Sequence, residues 1–131
     1  MKKLKWTNTP YGYREAIYRN HIINDSNGEF MPEGITVDFD GDLAYCENLE
    51  DAMDKIDENI LWGLKDELQH LGGAAAGFKV SYEKGKFILI RVASTEAQPV
   101  IEAMNKYVQT WLSEDAQFVD TKDGHWVLEK F

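Results

Sequence analysis

The chain has 131 residues, 44% hydrophobic and 12% aromatic, enough to enclose one core and too few for two ordinary domains, so residues 1–131 are expected to form a single α+β domain. Its 23 acidic and 14 basic side chains leave a net charge of −9, which disfavours direct binding to nucleic acid or to an anionic membrane and favours a basic protein partner. The lone Cys46 excludes an internal disulfide and offers no second thiol to a structural metal, so neither metal nor cofactor is expected and the cytoplasm is the expected compartment.

The charge is uneven: residues 1–23 carry +4, residues 24–72 carry −12 and residues 73–131 carry −1. The basic start, Met1 to Trp6, is not followed by the apolar run of a signal peptide, and no segment is long and apolar enough to span a membrane. Tyr13 to Ile23 reads as a strand leading to a turn at Asn24 to Gly28, with a helix capped by Thr9 and Pro10 as the alternative. Ile35, Val37 and Phe39 alternate with Thr36 and Asp38 as in a half-buried strand, and Asp40-Gly41 supplies a hairpin turn.

Asn48 is placed to cap a long helix whose apolar positions Ala52, Met53, Ile56, Ile60, Leu64, Leu68 and Leu71 recur every three or four residues. Gly72-Gly73 is its stop signal, and Gly63 inside it, about 1 kcal/mol worse than alanine, marks a place where it could bend. A second hairpin turns at Lys84-Gly85, and the continuous run Phe87 to Ile90 suits a central strand covered on both faces. A second helix is expected from Ser94-Thr95 to Glu114-Asp115, with Pro99 in its first turn and Val100, Ile101, Met104, Val108, Trp111 and Leu112 buried. Asp123-Gly124 closes a third hairpin, with Trp126 on a buried strand face. Trp62 lies off the main helical stripe and is a candidate to cover a second surface, against a sheet edge or a partner.

The segments from Gly34 and from Gly77 align at an offset of 43 residues, each a hairpin leading into an amphipathic helix. The expected architecture is an antiparallel sheet of about five to seven strands with both helices on one face, built as two strand-strand-helix repeats.

Residues 38 to 58 hold Asp38, Asp40, Asp42, Glu47, Glu50, Asp51, Asp54, Asp57 and Glu58 against a single Lys55. Such a face is ordinarily a solvated one, and Glu50 and Asp51 are favoured by the helix dipole alone. The alternative is recognition, because a row of carboxylates imitates a run of phosphates and steers a basic partner into place. Asp38, Asp40, Gly41 and Glu47 match part of a calcium loop, but Thr36 stands at its first position and strands replace the flanking helices. Gly72 to Gly77 follows a helix and opens a strand, the reverse of a phosphate-cradling loop. His21, His70 and His125 are dispersed and form no catalytic motif. The expected function is a small non-catalytic binding protein, an inhibitor of the phage anti-defence or immunity type that occupies the nucleic-acid-binding surface of a target enzyme. The rival readings are a small-ligand, nucleotide-binding or enzymatic domain with a pocket between sheet and helices, rimmed by Gly72 to Gly77, and an oligomeric structural protein.

Overall fold

The computed structural model describes residues 4–25, 34–93 and 96–130. Among these residues it is an α+β protein with two α-helices and two antiparallel sheets, and the chain divides into two compact units, residues 1–58 and 59–131.

In the first unit, β1 (Trp6–Asn8), β2 (Arg14–Tyr18), β3 (His21–Asp25), β4 (Ile35–Phe39) and β5 (Asp42–Cys46) form a five-stranded meander in chain order. The extended segment expected over residues 13–23 is thus two strands, folded back at Arg19-Asn20, where both residues take positive φ (48° and 64°). Two such residues make the tight turn that matches strand twist, and the sequence gives no glycine to announce it. The expected turn at Asn24 to Gly28 lies mostly outside the described residues, β3 running on to Asp25. At Asp40-Gly41 the same turn geometry recurs, with φ of 53° and 97°. Strand alternation places Ala16, Tyr18, Ile23, Val37 and Cys46 on one buried face. The helix α1 (Leu49–Leu71) starts in this unit, where Ala52, Met53 and Ile56 are buried. Asn48 caps it as the sequence predicts, its Oδ1 accepting the Asp51 N–H at 2.8 Å.

In the second unit, α1 continues unbroken past Gly63 to the stop at Gly72-Gly73, both at positive φ. A 3₁₀ segment, Gly73–Gly77, then leads to β6 (Phe78–Glu83), β7 (Lys86–Arg91), α2 (Gln98–Trp111), β8 (Gln117–Asp120) and β9 (His125–Glu129), with sheet order β6-β7-β9-β8. The two strand-strand-helix segments are present, but their hairpins sit in separate sheets. Strands preceding the first hairpin complete its sheet through β3, and strands following α2 complete the second through β9, which occupies the free side of β7. β7 is central as expected; Phe87 and Leu89 are fully buried while Ile88 and Ile90 are only half-buried, so one face is closed rather than two.

The second helix begins at Gln98, with Pro99 in its first turn, and the expected start at Ser94-Thr95 lies outside the described residues. It ends at Trp111, three residues before Glu114. Its buried stripe is the narrow row Val100, Met104, Val108 and Leu112, each four residues from the last. Trp111 falls off that row and is 70% exposed, contrary to its expected burial, whereas Trp126 is buried.

Gly63 has a packing reason. A Cβ there would stand 2.7 Å from the Tyr107 hydroxyl oxygen, so the glycine admits an α2 side chain against the α1 backbone. Gly63→Ala is therefore expected to be neutral or destabilising in the wild type and to stabilise a Tyr107→Phe background by about 1 kcal/mol, the helix-propensity gain. Denaturant melts of the four proteins of this cycle check it, and an equal effect in both backgrounds would remove Tyr107 as the reason for the glycine.

Candidate functional site

The acidic residues gathered between positions 38 and 58 separate into two groups once their partners are known. Three of them have structural work. Asp38 Oδ1 accepts the Gly41 N–H at 2.7 Å, closing the β4–β5 turn. Asp51 Oδ2 accepts the Glu47 N–H at 3.0 Å, and its Oδ1 takes the Lys55 ammonium at 3.2 Å. The backbone bond first and the lysine second hold the Asp51 carboxyl below the ordinary aspartate range, and the same contact raises Lys55.

Asp57 corrects the sequence expectation. It is not on a partner-facing surface: only 6% exposed, it accepts the Arg19 guanidinium at 2.7 Å and the Tyr18 hydroxyl at 3.2 Å. The signal was present in the helical phase, because Asp57 stands four residues after Met53 and three before Ile60, on the buried stripe itself. Arg19, held in left-handed backbone at the β2–β3 turn, is the residue that fills this charge requirement.

Asp40, Asp42, Glu47, Glu50, Asp54 and Glu58 are exposed, and none forms an ion pair among the described residues. Four of these bracket β5, an edge strand of the five-stranded sheet: Asp40 and Asp42 at its start, Glu47 and Glu50 just past its end. Between them the strand presents Leu43 and Tyr45, the latter 63% exposed. Asp54 and Glu58 continue the acidic row along α1.

The apolar part of this surface was not foreseen. The register aligns Ile17 with Ile22, Ile22 with Asp38 and Asp38 with Leu43, so Ile17, Ile22 and Leu43 share the face opposite the buried one, and all three are exposed. Tyr45 lies on the same face, across from Thr36, whose buried hydroxyl has no hydrogen-bond partner among the described residues. The sequence signal was that Ala16-Ile17-Tyr18 and Leu43-Ala44-Tyr45-Cys46 are apolar on both faces, which a strand with one watered face does not require.

The residues of a partial calcium loop occupy the tight β4–β5 hairpin, where the Asp38 carboxylate is already engaged by the turn. His21 shares a 2.8 Å hydrogen bond between its Nδ1 and the Arg19 carbonyl and meets Phe39 edge-on, and His70 Nδ1 lies 2.8 Å from the Asp66 carbonyl. Among the described residues no three His, Cys, Asp or Glu side chains converge as a metal site, and no helix is long and apolar enough to cross a membrane. Cys46 is 2% exposed, and burial first, with Asp51 second, raises its thiol pKa. Comparison with protein-family models, with characterised proteins and with solved structures gives no match.

Two consequences are measurable. Asp57→Ala removes the carboxylate that holds Arg19 and Tyr18 and is expected to destabilise the protein by about 3 kcal/mol, read by denaturant unfolding, with Asp54→Ala changing it by less than about 0.5 kcal/mol. Cys46 should react with a thiol reagent at neutral pH far more slowly in the native protein than after denaturation, because the raised pKa depletes the thiolate and burial blocks access. Equal rates in the two states would contradict that placement.

Proposed function

We propose that this protein is a non-catalytic binding protein of the cytoplasm that inhibits a nucleic-acid-handling enzyme, in the manner of phage anti-defence or immunity proteins, by covering its basic surface. The observation that carries the reading is the β5 edge: exposed Leu43 and Tyr45 between two pairs of carboxylates that have no ion-pair partner among the described residues. An aromatic anchor framed by charge is the composition of an energetically concentrated interface, where the aromatic supplies affinity and the carboxylates supply steering. Five residues at about 3.4 Å each separate the two acidic pairs by about 17 Å, a span over which a nucleic-acid strand presents several phosphates. The buried, unpaired Cys46 fits a reducing compartment.

The test is capture from a lysate of the cells that carry the protein, at low and high salt, followed by assay of the captured enzyme. The expected partner is a basic nuclease or other nucleic-acid-binding enzyme, inhibited by the protein and released by added duplex DNA or RNA. Tyr45→Ala should weaken that complex by about 2 kcal/mol, roughly thirtyfold, and reversal of Asp40, Asp42 and Glu50 to lysine should slow association and abolish the salt dependence. A partner indifferent to nucleic acid and to these substitutions would sink the reading.

A further inference from the structure

The second unit carries a different surface, in which positive charge is concentrated instead of removed. A groove of about 500 Å³ lies between the C-terminal turns of α1, the 3₁₀ segment and β6, within the range of about 300–1,000 Å³ common for small-molecule sites. Leu68, Ala75, Phe78 and Val80, all buried side chains, supply its apolar lining. The charged residues that line it are Lys65 and Lys79; both are exposed, and neither forms an ion pair among the described residues. No carboxylate among the described residues lines it, in a chain where acidic residues outnumber basic ones 23 to 14.

This sorting follows from the helical phase of α1. Asp66 and Glu67 do not line the groove: the Asp66 carboxylate lies 3.5 Å from His70 Nδ1, and Glu67 with Asp66 raises the Tyr107 hydroxyl pKa after the larger effect of burial. Lys65, Leu68 and Gln69 are left facing the groove. At its rim Gly72 and Gly73 take positive φ, and the Ala75 N–H bonds back to the Gly72 carbonyl at 2.9 Å, which brings the small Ala75 and Ala76 beside the helix end without filling the space.

We infer that this groove is a binding site for an amphipathic carboxylate, a short alkyl or aryl-alkyl acid whose tail lies on Leu68, Phe78 and Val80 and whose head group is taken by Lys65 and Lys79. Burial of the tail supplies most of the affinity, and the lysines supply selectivity for a charged head over a neutral one. The site shares no residue with the β5 edge and does not depend on the inhibitor reading.

Octanoate is the probe, titrated into the full-length protein and followed by amide NMR. Saturable shifts confined to residues 64–80 are expected, with Kd below about 1 mM. Octanol, which has the same tail and no charge, should bind at least about fivefold more weakly, and acetate, which has the same head and no tail, should not saturate. Lys65→Gln combined with Lys79→Gln should weaken octanoate by about fivefold to tenfold with the melting temperature unchanged, both side chains being exposed. Ala76→Phe, placed to occupy the groove, should abolish binding. Absence of saturable shifts up to about 10 mM, shifts centred elsewhere, equal binding of octanol, or an unaffected lysine double variant would each overturn the assignment.

Discussion

The carboxylate of Asp57 joins three elements of the first unit: the guanidinium of Arg19 at the β2–β3 turn, the hydroxyl of Tyr18 at the end of β2, and α1, on which it sits. A buried charge of this kind tolerates little displacement, because separation from its partner leaves it in an environment that cannot solvate it. It therefore fixes which side of α1 meets the sheet. With Asp57 inward, Met53 and Ile56 are buried beside it, and Asp54 and Glu58 must point to solvent. The face of the sheet bearing Ala16 and Tyr18 is covered, and on the other face Ile17, Ile22, Leu43 and Tyr45 are exposed while Thr36 is buried.

Local chemistry in the sequence was sufficient for elements whose ends are written in residue type. Asn48 and Gly72-Gly73 bound α1, and the Asp40-Gly41 and Lys84-Gly85 turns place two hairpins, as read from the residues alone. The α+β class follows from the same patterns. The Arg19-Asn20 turn was not legible, because no glycine marks it and the ion pair that Arg19 makes there is with a carboxylate 38 residues away, which no local pattern encodes. Division of the strands between two sheets was hidden for a similar reason: the hairpins look alike, and the pairing that completes each one is long-range. Within the acidic surface, the exposed positions Asp40, Asp42, Glu47, Glu50, Asp54 and Glu58 could be listed from sequence, and the helical phase of Asp57 already sets it on the buried stripe, but its partner Arg19 and the exposed apolar strip beside β5 depend on long-range contacts and strand register.

Charge is handled oppositely in the two units. In the first, carboxylates accumulate at a strand edge and along a helix, and the nearby Lys55 is bound to Asp51. In the second, Lys65 of α1 lines a groove of apolar side chains, while Asp66, beside His70, and Glu67 stay out of it. A strongly negative average thus conceals one region where an anion would meet attraction, and net charge alone is a poor guide to what each surface accepts.

The open edge of β5 also bears on the behaviour of the protein at high concentration. An exposed strand carrying Leu43 and Tyr45 is a template on which another copy could extend the sheet, the first step toward fibrils. Antiparallel pairing of two such edges would bring the Asp40-Asp42 end of one copy against the Glu47-Glu50 end of the other, like charge facing like at both ends. The carboxylates thereby act as gatekeepers of colloidal stability whatever else they bind. Their protection weakens as salt shortens the reach of the repulsion, so aggregation should be governed by ionic strength as much as by folding stability.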